Sequence, residues 1–248
     1  MKPHRSRYWL NTTETDPERF RQHAETVCLT YAHAVERYQA GEHTVSVDEM
    51  TGIQALERAA PTKPARPGFV ERREFEYIRH GTQTLIANFE VGSGQVICPS
   101  LGDRRTEVDF VTHIAQTVAN DPAAHWTFVL DQLNTHQSEG LVIWVAHQCH
   151  LTEDLGQKGK RGTLATMASR AAFLADPTHR IRFVYTPKHS SWLNQIELWF
   201  SMLMRRLLKR ASFVSIADLN QRILDFIAFF NRTAKPFKWT YTGRPLCA

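Results

Sequence analysis

Apolar positions along the chain alternate between helical and strand-like spacing, and the changes from one to the other mark out its elements. Phe20, Ala24, Val27, Tyr31, Ala34, Val35 and Tyr38 form a helical stripe over 17–40, where Asp16 can cap, Pro17 suits the first turn and Gly41 suits a stop. Thr44-Val45-Ser46-Val47-Asp48 reads as a strand, and 57–70, with Pro61, Pro64, Pro67 and Gly68, reads as a loop. Two strands follow near 74–80 and 82–90, and the turn Val91-Gly92-Ser93-Gly94 leads to a third at 95–98. A helix near 107–119 opens at Thr106, with Asp109 at capping-box distance. The apolar run 126–130 reads as a buried strand that delivers Asp131 at its end, and a helix near 138–147 follows. Residues 150–162 are polar and Gly-rich and read as a mobile loop; a helix over 164–175 stops at Asp176-Pro177. A last strand, 181–185, is broken by Pro187, and two long helices, near 191–210 and 216–231, complete the pattern. Ser215 and Asp218 stand at capping-box spacing on the second.

A meander of strands followed by strand–helix units predicts a mixed α/β sheet with helices on both faces. The expected organisation is an arm and linker helix over 1–42 and one domain over 43–248. Hydrophobic residues at 42% and charged residues at 22% place the chain with globular rather than disordered proteins. No apolar run reaches the roughly 18 residues a membrane span needs, and the start has no apolar segment of the secretory kind. The cysteines Cys28, Cys98, Cys149 and Cys247 are far apart with no CxxC pair, which points to reduced thiols in the cytoplasm.

The net charge of +5 hints at a polyanionic partner, and its distribution says more than its sum. Arg66, Arg72, Arg73 and Arg79 share one stretch, and Arg104 and Arg105 another. Lys158, Lys160 and Arg161 lie in the Gly-rich loop, and Arg205, Arg206, Lys209 and Arg210 lie along one helix. Solvated faces would account for each group singly; several such groups around an acidic centre would suit a DNA track.

That acidic centre has three candidates. Asp48 and Asp131 close strands, where ligands of open α/β sheets bind. Glu197 sits one to two turns into a helix, among Ile196, Leu198, Trp199 and Phe200, and an acid crowded by apolar surface wants a cation. Magnesium is held by a few carboxylates converging from separate elements, and a pair of such ions can both activate a nucleophile and neutralise a leaving oxygen in phosphodiester chemistry.

The segment Thr186-Pro187-Lys188-His189-Ser190-Ser191-Trp192-Leu193-Asn194-Gln195-Ile196-Glu197 resembles the last-acid segment of DDE transposases of the mariner superfamily, in their bacterial insertion-sequence branch. Val47-Asp48-Glu49-Met50-Thr51-Gly52 resembles that family's first-acid strand, and Leu130-Asp131-Gln132-Leu133-Asn134-Thr135-His136 its second. The stretch from Phe229-Phe230-Asn231-Arg232 to Lys235-Pro236-Phe237-Lys238-Trp239-Thr240 is similar to the family's C-terminal end. The resemblance implies a ribonuclease-H-like fold and two Mg2+ or Mn2+ ions on Asp48, Asp131 and Glu197. It further implies cleavage of DNA at element ends and strand transfer into target DNA, by a homodimer in the cytoplasm at the nucleoid. Phosphate contacts are expected from Arg72, Arg73, Arg104, Arg105, Lys158, Lys160, Arg161, Lys188, His189, Asn194, Arg205 and Arg206.

Two departures stand out. Relatives often carry Asn directly after the second acid, where this chain has Gln132, with Asn134 two residues on. The last two acids are 197 − 131 = 66 positions apart, longer than the family's usual spacing, and an insertion over 149–177 accounts for the excess. Residues 1–42 hold one helix, too little for the family's helix-turn-helix reading module, so a catalytic fragment, the product of a second reading frame beside a separate DNA-reading chain, and a degenerate copy are all open. A nuclease that cuts without joining, and a truncated DNA-binding regulator without catalysis, are the alternatives. His147, Cys149 and His150 are too close together on one helix end to surround a zinc ion. His136 and His189 flank two of the acids, in either hydrogen-bonding or phosphate-contacting roles.

Overall fold

A computed structural model of the protein describes residues 17–242; the expected basic arm at 1–15 and the Asp16 cap lie outside them. Five strands form one sheet in the order β3-β2-β1-β4-β5. β1 (His43–Arg58) pairs antiparallel with β2 (Tyr77–Glu90), which pairs antiparallel with β3 (Gln95–Gly102). On its other edge β1 runs parallel to β4 (Trp126–Leu130), and β4 parallel to β5 (Ile181–Tyr185). The expected mixed sheet is therefore present, with β1, β2 and β3 longer than the sequence pattern indicated. β1 continues well past Asp48, and the two strands expected at 74–80 and 82–90 are one. Gly81, at φ 131°, sits at a register shift in the β1–β2 ladder, so it bends the strand without ending it.

Helices cover both faces. α1 (Pro17–Ala32) and α2 (Ala34–Gln39) replace the single helix expected over 17–40, with the break at His33. Together with α6 (Ile196–Leu203) and α7 (Ile216–Asn231) they pack on Leu85, Ala87, Phe89 and Val129. On the opposite face α3 (Glu107–Val118), α4 (Glu139–Gln148) and α5 (Met167–Leu174) enclose Val45, Val47, Phe128, Leu130 and Phe183. β1 serves both cores. Val45 and Val47 point into one, Ile53 and Ala55 into the other, although odd-numbered residues of an unbroken strand would share a face. The register shift between Met50 and Ile53, with Gly52 at φ 66°, supplies the extra residue that swaps the faces.

Thr106 and Asp109 form the expected capping box, and Ser215 accepts from the backbone N–H of Asp218 as its spacing indicated. The helix expected over 191–210 is instead three pieces: a 3-10 turn at Ser191–Leu193, α6, and a wide π turn at Met204–Leu208. α5 is shorter than its expected 164–175. The stretch 149–177 is tied down: Gly156, Gly159 and Gly162 take positive φ, Gln157 bridges Arg161, and buried Arg170 donates to the carbonyls of Gln137 and Leu164 at 2.7 and 3.0 Å. The stretch 59–76 carries exposed Phe69, Val70 and Phe75. Among the described residues no helix is long and apolar enough to cross a membrane, and Cys28, Cys98 and Cys149 are free thiols.

At the start of β1, His43 stacks on Trp126 at 4.0 Å, with Nδ1 2.8 Å from Glu90 Oε2 and Nε2 3.5 Å from Asp121 Oδ2. The hydrogen bond to Glu90 raises this imidazole above its ordinary 6.5, against the opposing pull of burial. A raised histidine binds its proton more tightly in the folded state. Its stabilisation is thus complete below 6.5 and is lost as pH rises through the folded value. The urea midpoint should fall over that rise, and His43→Gln should flatten the fall by about 1 kcal/mol; equal slopes for the two proteins would dismiss the contact.

Candidate active site

In the β1–β4 ladder Ser46 lies beside Val129. Two residues further along each strand stand Asp48 and Asp131, so equal steps on parallel neighbours bring both carboxylates to the same edge and the same face. The β-branched and aromatic runs that precede them, Val45-Ser46-Val47 and Trp126 to Leu130, are almost wholly buried and fix this register. Glu197 arrives from the other direction, as the second residue of α6. It is in the first helical turn, nearer the helix start than its sequence context indicated, where the positive end of the helix dipole faces an acid.

Asn194 makes the connection. Its amide donates to the Val47 carbonyl at 2.8 Å and to Asp48 Oδ2 at 3.3 Å, and its oxygen accepts from the Ser46 hydroxyl. The same Ser46 oxygen accepts from the Ile196 N–H at 2.9 Å, so the start of α6 is bonded directly to β1. Asn194 was expected to contact DNA; at 1% exposure it instead aligns two of the acids from below. Asn194→Ala leaves the Ser46 hydroxyl and the Val47 carbonyl short of a partner, and an unfolding free energy lower by about 1–3 kcal/mol is expected. Chemical denaturation checks this, and an unchanged midpoint would show that water or a neighbour replaces the amide.

The electrostatics of the acids differ sharply. Burial pushes Asp48 up to about 7, aided by the negative charges of Asp131, Glu197 and Glu49 and opposed by the Glu49 N–H. Burial and the charge of Asp131 also raise Glu197. Asp131 moves the other way: burial would lift it, but the hydrogen bond and charge of His136, the Leu133 N–H and Arg105 hold it below the usual carboxylate range. His136 Nδ1 stands 2.8 Å from Asp131 Oδ1 and Nε2 3.1 Å from Glu49 Oε1. Burial pulls this imidazole down, yet its two carboxylates overcome that and raise it to about 9, so the ring is protonated at neutral pH.

Among the described residues no three His, Cys, Asp or Glu side chains are gathered as tightly as the ligands of one ion. Half-buried like charges repel, and Asp131 is drawn to His136 at 2.8 Å. The donor chemistry nevertheless fits a hard divalent cation. Burial first, and then the negative charge of Asp131, hold both Asp48 and Glu197 above their ordinary values, and a cation beside them would relieve both.

A family model described as DDE superfamily endonuclease matches residues 43–220. The chain belongs to this family. No curated protein matches the sequence. Among solved structures, the Mos1 transposase paired-end complex with left transposon end is 12% identical, with a TM-score of 0.52, covering 90% of this chain and 59% of that one. The Mos1 mariner paired end complex with Mn is 13% identical, TM-score 0.50, with 90% and 59% covered. The Mos1 transposase catalytic domain with Raltegravir and Mn is 10% identical, TM-score 0.50, with 90% and 85% covered. The fold of this DDE-family chain is thus ribonuclease-H-like, and the chain spans about three fifths of the length of the Mos1 transposase chains in the paired-end complexes.

The expected DNA-contacting side chains other than Asn194 are exposed, but several are engaged locally. Arg73 pairs with Glu71 at 2.6 Å, Arg104 with Asp103 at 3.7 Å, Lys158 with Glu139 at 3.4 Å and Arg161 with Asp154 at 2.6 Å. Such surface pairs are weak enough to exchange for phosphate. Arg105 lies 3.9 Å from Glu49, at the rim of the acids. Arg72 sits in the 59–76 stretch, Lys160 in the stretch 149–177, Lys188 and His189 just after β5, and Arg205 and Arg206 on the π turn. Gln132, which departs from the family pattern, donates to the Thr186 carbonyl at 2.9 Å and so braces the end of β5. Glu49 was missed: a strand thought to end at Asp48 gives no reason to inspect the next residue, which alternation turns to the opposite face.

Proposed function

We propose that the chain is a transposase catalytic domain that cuts DNA at element ends and joins it to target DNA, with Asp48, Asp131 and Glu197 holding divalent magnesium or manganese. The observation that carries this reading is the parallel register of Ser46 on Val129, two residues before Asp48 and Asp131 respectively, with Asn194 and Ser46 fastening the helix of Glu197 to the same strand. When bound, a pair of such ions supplies the Lewis acidity that activates an attacking water or 3′-hydroxyl and neutralises charge on the departing oxygen. Asp48, raised by burial, gains most from a cation and would release its proton to solvent when one binds. Asp131 is ionised already at neutral pH. Arg72, Arg73, Arg104, Arg105, Lys158, Lys160, Arg161, Lys188, His189, Arg205 and Arg206 hold the phosphates on either side in this reading, and an in-line approach of the nucleophile depends on that grip.

Further support comes from the similar solved structures, which hold Mos1 transposase with a left transposon end and the Mos1 mariner paired end complex with Mn. The working unit in this reading is a homodimer acting at the nucleoid, since two element ends must be processed. The last-acid segment, residues 186–197, is the support for an insertion-sequence source. Incubating the chain with Mg2+, a supercoiled target and a duplex bearing a free 3′-hydroxyl tests the reading, and joined products are expected. Nicked target without joined product would favour a nuclease that only cuts. Bound DNA with neither product would favour a non-catalytic regulator.

A further inference from the structure

Glu49 and His136 are absent from the three-acid set, yet they are the best-buried charged groups beside it. The His136 side chain has no exposed surface and that of Glu49 is 3% exposed. Both ring nitrogens are taken, one by Asp131 Oδ1 at 2.8 Å and the other by Glu49 Oε1 at 3.1 Å. The ring of Phe110 lies 4.3 Å from the imidazole, and the Tyr185 hydroxyl donates to the His136 carbonyl at 2.9 Å, so neither ring nor backbone can swing. Burying a carboxylate is costly unless it is bonded. Glu49 finds its bond in His136 and its nearest other cation, Arg105, at 3.9 Å. The Leu133 N–H also donates to Asp131 Oδ1, at 3.0 Å, so every described bond to that carboxylate falls on one oxygen. The Asp131 side chain remains 44% exposed.

We infer that Glu49 and His136 are a positioning pair that grips Asp131 by Oδ1 and leaves its second oxygen for a divalent cation. The inference rests on the proposed metal chemistry of the site. Carboxylates that bind metals are commonly held in this way by a bonded neighbour, and loss of the neighbour lowers metal affinity about 10–100-fold. A strut that merely joined β1 to the turn after β4 would contribute to stability and leave metal affinity alone.

The test is calorimetric titration of Mn2+ into the full chain and into Glu49→Gln, His136→Asn and the double variant, at one pH. Each single variant is expected to bind Mn2+ about tenfold more weakly. The double variant is expected to bind no more weakly than the worse single one, because the two residues act as one device. Should His136→Asn not fold, Glu49→Gln, which keeps the side chain's shape, decides alone. Wild-type affinity in the folded variants overturns the positioning role and leaves the metal site standing; a wild-type chain that takes up no Mn2+ overturns both.

Discussion

Asp48→Asn is expected to lose Mg2+-dependent DNA cleavage by about a thousandfold or more and, at pH 8, to melt at a higher temperature than the wild type. The two effects share one cause. The Asp48 carboxyl sits near 7 in the folded chain against an ordinary 3.8. A raised acid binds its proton more tightly when folded, so its contribution to stability is full below 3.8 and is lost as pH climbs to about 7. Above that the ionised group opposes folding by about 2–4 kcal/mol. Asn carries no charge, so it escapes the penalty and can no longer serve a cation. Plasmid nicking and thermal melts at pH 8 and pH 4 read both sides, and the stability gain should fade at the lower pH. Cleavage at the wild-type rate would remove Asp48 from the chemistry, while identical melting at pH 8 would refute the electrostatic account.

Trp199→Ala should bring the largest loss of stability, about 3–5 kcal/mol. The indole is fully buried between α6 and α7, with ring centroids 5.8 Å from Phe200, 6.2 Å from Phe226 and 6.3 Å from Phe230. A typical domain has only about 5–15 kcal/mol in total, so the variant should be part-unfolded at 37 °C. Activity should fall with the folded fraction, because Glu197 depends on the same helix for its place. Urea unfolding at 25 °C measures the loss; a shift below about 1 kcal/mol would mean that the surrounding phenylalanines collapse into the space.

The parts legible in the sequence were those set by local pattern. β4 and β5 were placed at their observed bounds because short, wholly apolar runs flanked by polar residues have few other readings. Caps at Thr106 and Ser215 followed from side-chain chemistry within four residues. What local pattern could not supply was length and register. Beyond Asp48 the bulge around Gly52 breaks the alternation that marks a strand, so the remainder of β1 went unread. Asn194 is a comparable case. Polar and adjacent to a motif, it looked like a contact for phosphate, and only the arrival of α6 against β1 showed its amide to be enclosed. The Glu49–His136 bond joins positions 87 residues apart, and no spacing rule brings them together.

By crossing from one hydrophobic layer to the other at its bulge, β1 is a shared wall of two rooms. Neither room can be opened while the other stays shut, since release of this strand strips both at once. The amides at its heart should therefore exchange with solvent only when the whole molecule comes apart, and Asp48 rides on the last part of the sheet to loosen.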